Sequence, residues 1–197
     1  MVEESFIESA IEDSCRMKQS FSDELKRQII AVAEAILNAH RNQQRVFIIG
    51  NGGSAADALH FSSELVGRFL KEREPLDVLA LSSNIPTLTS LINDYPAEQL
   101  FARQVKAHVR KGDIVIGIST SGKSRNILLA LETARERGAK TIGFSGETGG
   151  DMHSRCDLLL CVPSRKTPRI QEGHLFMIHL ICHLVEDWVA PGDAAKE

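Results

Sequence analysis

A chain of 197 residues, 43% hydrophobic and 25% charged, can bury the core of one compact domain, which argues against both a two-domain enzyme and a disordered segment. Its 23 Lys and Arg against 26 Asp and Glu leave a net charge of -3, without the basic surplus that binding a phosphate backbone requires, so nucleic acid is not an expected partner. The acidic start Met1-Val2-Glu3-Glu4-Ser5, and the lack of any apolar run near the roughly 18 residues that span a bilayer, predict a cytoplasmic protein with no membrane partner. The cysteines Cys15, Cys156, Cys161 and Cys182 show no C-x-x-C spacing, which argues against a disulfide frame and against a thiolate zinc site.

In chain order, Phe6, Ile7, Ala10, Ile11, Met17 and Phe21, then Leu25, Ile29, Ile30, Ala33, Ile36 and Leu37, recur at spacings of three and four. This predicts two amphipathic helices over about 3–42, before any strand. From Arg45 the pattern changes to short β-branched or aliphatic runs at Val46–Ile49, Val78–Leu81, Ile114–Ile118, Thr141–Phe144 and Leu158–Val162, each the length of a buried strand. Helices are expected between them at about 55–70, 97–110 and 124–137, the last closed by Gly138, and a long final helix at about 168–189. Such alternation implies a parallel sheet covered on both faces. The α/β core should fill about 45–189 of a single domain, with a loose tail at 190–197.

In an open parallel sheet, ligands gather beyond the carboxyl ends of the strands, so the loops after strands come first. Two are unusual: Gly50-Asn51-Gly52-Gly53-Ser54, and Ser119-Thr120-Ser121-Gly122-Lys123-Ser124. Glycines let backbone N–H groups approach an anion, and a following helix start adds open donors and partial positive charge. The second loop carries four hydroxyl residues in six, more than the one that N-capping requires, and reads as a phosphate cradle. Gly50, Gly52 and Ala55 also fit G-x-G-x-x-A. The acidic residue that should follow the second strand is missing, since Ser82-Ser83-Asn84 stand there, and a nucleotide cofactor is not expected.

The helix after the first loop carries His60 and Glu64 at i and i+4, one turn apart on one face. The last helix sets Gln171, Glu172, His174, His179 and His183 among apolar residues, where unpaired polar groups are costly. Helical period aligns Glu172, His179 and His183, while Gln171 lies about eighty degrees from His179. Spacing does not choose among them. For His183 the expectation is a structural side chain.

Taken together, Gly50-Asn51-Gly52-Gly53-Ser54, Asp57-Ala58-Leu59-His60-Phe61 with Glu64-Leu65, Asn93-Asp94, Ser119-Thr120-Ser121-Gly122 with Ser124, and Arg169-Ile170-Gln171-Glu172 with His174 and His179 resemble the phosphoheptose isomerases of the sugar isomerase (SIS) domain family. The resemblance runs over about residues 5–189 without an obvious gap. It implies a flavodoxin-like three-layer α/β sandwich with N-terminal helices, assembled as a homotetramer with active sites between subunits. It also implies an aldose-ketose isomerase that converts sedoheptulose 7-phosphate to D-glycero-D-manno-heptose 7-phosphate through an enediol, the first step toward ADP- or GDP-heptose for surface glycans. On that resemblance Glu64 is the base and His179 the acid, and Ser119, Thr120, Ser121 and Ser124 hold the phosphate. Asn51, Gly52, Gly53, Glu64, Asn93, Asp94 and Gln171 line the rest of the substrate, and zinc falls on His60, Glu64, Gln171 and His179. The alternative is a non-enzymatic SIS protein, either a sugar-phosphate sensor or a replication-initiator-associating adaptor. The adaptors lack the glutamate and histidine pair that this chain keeps. Lys123 departs from the asparagine more frequent at its place, and Gly173 is an unusual residue for a helix interior. One short domain leaves an enediol exposed to water, so a site composed between copies of the chain is expected, with the subunit that supplies His179 left open.

Overall fold

The structure, a computed structural model, describes residues 2–190, with side chains from Glu4 onward. All but the first residue of the expected tail lies outside the described residues. Helices α1 (Val2–Gln19) and α2 (Asp23–Arg41) precede β1 (Val46–Gly50) and α3 (Gly53–Val66). There follow β2 (Val78–Ala80), α4 (Ile85–Asp94), α5 (Gln99–His108), β3 (Ile114–Ile118), α6 (Arg125–Glu136), β4 (Lys140–Ser145), β5 (Leu158–Cys161) and α7 (Thr167–Val189). The five strands pair in parallel in the order β2-β1-β3-β4-β5, the flavodoxin-like arrangement that the resemblance implies. The chain steps outward from β1 to β2 and then returns to the other side of β1 with β3, so the switch point lies between β1 and β3.

Strand side chains divide the core in two, because successive residues point to opposite faces. Val46 and Ile48, with Ile114, Ile116 and Ile118, pack toward α2, α3 and α7, whereas Phe47, Ile49 and Val115 pack toward α5 and α6. Burial on both faces explains why β1 and β3 read as unbroken apolar runs.

Three differences from the sequence-based expectations bear on the site. Helix α3 stops at Val66, four residues early, because Gly67 follows and the chain turns into an irregular segment that runs to β2. Helix α4 was not expected, although Asn84 caps it by accepting from the Thr87 N–H at 3.1 Å and Pro86 sits in its first turn. A 3-10 turn at Gly150–Ser154 also went unforeseen. Gly173 is explained by packing: a Cβ there would lie 2.6 Å from a methyl of Val162, so the glycine lets α7 settle against the end of β5.

Candidate active site

The two unusual loops fall side by side at the carboxyl ends of β1 and β3, flanking the switch point. Each runs directly into a helix whose start has no side-chain cap. Gly52 precedes α3 with φ +53, and Ser124 precedes α6 with its hydroxyl uninvolved in capping. By contrast, Ser22 caps α2 through the Leu25 N–H at 3.1 Å. The Ser124 hydroxyl instead meets that of Ser119 at 3.0 Å, inside the loop. Ordinary capping therefore does not account for these hydroxyls. The Ile127 N–H in the first turn of α6 donates to Asn126 Oδ1 at 3.0 Å, and the helix start beside the hydroxyls is the kind of place where an anion is held.

The β3 loop is firmly supported. Ser119 is buried, its N–H donates to the Phe144 carbonyl, and the Gly146 N–H donates to the Thr120 carbonyl. Gly122 has φ +64 and lies against the Gly149 carbonyl, where a Cβ would collide; only glycine satisfies both constraints. Ser121 is exposed, its Oγ accepting from the Lys123 N–H at 3.2 Å. Lys123 is exposed as well, and with Thr120, Ser121, Glu147 and Arg165 it lines a small recess on the β4 side of the loop. On the β1 side, Asn51 exchanges two amide hydrogen bonds with Asn126 of α6, at 2.9 and 2.8 Å. The sequence reading missed Asn126, although its place two residues after Ser124 marked it for the first turn of the helix.

His60, Glu64 and His179 come together where α3 and α7 pack. The Nε2 atoms of His60 and His179 face each other at 3.0 Å, so one ring donates and the other accepts, and the Glu64 carboxylate stands 3.7 Å from His60. Within one chain His179 thus already lies against His60. Gln171 reaches the same helix, its amide lying over Gly53 where any Cβ would collide. Glu172, which helical period had aligned with His179, turns away instead and pairs with Arg169 at 2.6 Å. His183, exposed, lies 3.6 Å from Asp187 and edge-on to Phe69.

Two further groups tune the surroundings. Asp57, one turn before His60, has a buried Oδ2 without a hydrogen-bond partner; burial raises its carboxyl to about 6, against the opposing pull of His60. His174, fully buried, faces the Ser145 carbonyl with Nε2 at 3.1 Å, and burial lowers it to about 4. Asn93 and Asp94 lie apart, at the exposed end of α4, joined to each other by a 2.7 Å hydrogen bond.

Among the described residues, no three His, Cys, Asp or Glu side chains form a ready-made metal cluster. Two imidazole nitrogens at 3.0 Å nevertheless lie near the spacing of about 3.3 Å that two nitrogens adopt on a tetrahedral zinc ion.

The chain matches the SIS domain family model over residues 11–146. It is 46% identical over 186 residues to the phosphoheptose isomerase of Geobacter sp. (strain M21), across 94% of this chain and 96% of that one. Solved structures of phosphoheptose isomerases from Francisella tularensis (TM-score 0.90, 35% identity) and Neisseria gonorrhoeae (TM-score 0.88, 36% identity) each match 95% of this chain and 100% of their own. Identity at this level over nearly the whole length, with the fold shared, shows that the chain belongs to the SIS domain family and, within it, to the phosphoheptose isomerases, which are sugar-phosphate isomerases.

Proposed function

We propose that the chain interconverts sedoheptulose 7-phosphate and D-glycero-D-manno-heptose 7-phosphate in the cytoplasm, with Glu64 as base and His179 as acid. The observation that carries this reading is the meeting of Glu64, His60 and His179 on α3 and α7, with α3 itself springing from one of the two uncapped loops at the switch point. In the forward direction Glu64 takes a proton from C1 of the ketose while His179 donates one to the carbonyl oxygen at C2, giving the enediol. His179 then recovers a proton from the C1 hydroxyl as Glu64 returns its own to C2, leaving the aldose with both residues restored. The hydrogen bond between His60 and His179 holds the second ring in place for this exchange. Ser119, Thr120, Ser121 and Ser124 take the phosphate, and Asn51, Gly52, Gly53, Gln171, Asn93 and Asp94 take the sugar hydroxyls.

The donor set also suits zinc, which His60, Glu64, Gln171 and His179 would hold. When bound, it would supply Lewis-acid polarisation of a substrate oxygen.

Copies of the chain are proposed to associate as a homotetramer. Helix α4 has no buried residue, leaving Ile85 62% and Ile92 60% exposed, and Phe6, Ile7 and Ile11 of α1 are likewise uncovered. Surfaces of this kind mark contacts with another chain. The product would enter heptose synthesis for surface glycans.

Glu64→Gln tests the base. It should leave the unfolding midpoint near that of the parent chain while removing turnover of sedoheptulose 7-phosphate, followed by direct product detection. Turnover within a factor of two of the parent refutes the assignment.

A further inference from the structure

Below the acid-base cluster, the segment between α3 and β2 is tied down by two charged side chains, Arg73 and Glu186, each only 1% exposed. Arg73 donates to the Glu64 carbonyl at 2.7 Å, to the Leu65 carbonyl at 2.8 Å and to the Glu74 carbonyl at 3.0 Å. Glu186 uses both carboxylate oxygens on backbone, accepting from the Phe69 N–H at 2.8 Å and the Leu70 N–H at 2.6 Å.

The two side chains barely serve each other. Their nearest approach is 3.9 Å, and Arg73 Nε, which makes it, is buried with no hydrogen-bond partner. A fully buried ion pair with so loose a contact is a poor source of stability, because desolvation offsets most of the attraction. What the pair does achieve is placement. Arg73 caps the Glu64 carbonyl in the last turn of α3, the turn that carries the carboxylate, and reinforces the Leu65 carbonyl that also accepts from the Leu76 N–H. Glu186 stands seven residues after His179, two turns along the same face of α7. It fixes the backbone of Phe69, whose ring lies 5.5 Å from that of His179.

We infer that Arg73 and Glu186 form a buried strap that sets Glu64 and the Phe69 ring in register with His179. On the reading of Glu64 and His179 as base and acid, both strap members are then positioning residues for the proton transfer. They touch no substrate. Their loss should lower the rate of the chemical step and leave phosphate binding, which rests on the β3 loop, largely intact.

The test compares Arg73→Met, Glu186→Gln and the double variant Arg73→Met/Glu186→Met with the conservative Arg73→Lys, using sedoheptulose 7-phosphate and scaling rates to folded protein. The double variant leaves no charge unpaired and keeps the question open to measurement where a single variant fails to fold. The expected result is a fall in kcat of about ten- to a hundredfold with KM within about threefold, the pattern of a misplaced catalytic group. Arg73→Lys should restore part of kcat. A kcat within twofold of the parent in the folded double variant, or a rise in KM alone, overturns the strap. Glu64→Gln measured alongside separates the two readings. If it is inactive while the strap variants keep full kcat, the strap alone falls; if it retains turnover, the base assignment falls and the strap falls with it.

Discussion

The β3 loop and helix α4 are both expected to hold substrate, yet they are built in opposite ways. The loop is backed by its own sheet: Ser119 is buried, Gly122 presses on Gly149, and two backbone hydrogen bonds tie it to the end of β4. Helix α4 carries Asn93 and Asp94 on an element with no buried side chain, its isoleucines open to solvent. Phosphate is common to every sugar phosphate, and on the proposed reading its subsite would be finished within one chain. On the same reading, the part that meets the sugar would be left for an assembly to complete, which would give association a direct hold on activity.

The comparison is broken most severely at Gly122. Gly122→Ala forces a Cβ into the left-handed region against the Gly149 carbonyl, costing about 2 kcal/mol or more and displacing the hydroxyls. With two hydrogen bonds to phosphate weakened, KM should rise by about a hundredfold, as measured by steady-state kinetics. An unchanged KM would mean that the phosphate lies elsewhere. A smaller effect is expected from Ile92→Asp, which charges the uncovered face of α4 and touches nothing in the core. Sedimentation should show the assembly dissociating with the unfolding midpoint of each chain little changed, and turnover should fall by about tenfold as Asn93 and Asp94 lose their setting. Dissociated chains with full turnover would refute a composite site.

The same contrast explains what could be read from the sequence. β1 and β3 are legible because burial on both faces leaves unbroken aliphatic runs, and the β3 loop stands out because its four hydroxyls in six residues exceed any capping need. Helix α4 has too little core contact to impress a strong apolar period, although Asn84 and Pro86 announced its start. The early end of α3 at Gly67 was hidden by Phe69 and Leu70, which continue the apolar pattern while serving the loop. Within α7, periodicity favoured Glu172 over Gln171. The choice depends on packing: Arg169 pulls Glu172 toward α1, and Gly53 opens room for Gln171. No one-dimensional pattern encodes a crossing between two helices, so the placing of His179 beside His60 within one chain, and the Arg73–Glu186 strap, emerge only in three dimensions.

His174 offers the mildest test, one that leaves turnover at neutral pH alone and probes how the loop side is anchored. Its Nε2 meets the Ser145 carbonyl at the end of β4 while Nδ1 is buried without a partner, so the ring is neutral and donates through Nε2. Burial lowers it to about 4 from 6.5. The unfolded chain therefore binds a proton below 6.5 that the folded chain refuses until about 4, and this contribution to stability is present above pH 6.5 and lost as pH falls toward 4. At pH 5 the loss for one such group amounts to about 2 kcal/mol. His174→Gln keeps a donor for the Ser145 carbonyl but has no proton to take up. Its urea midpoint should therefore drop less between pH 7.5 and pH 5 than that of the parent chain. Equal drops would show that the ring is protonated where it lies, and that the strand end beneath the loop is wetter and looser than its packing implies.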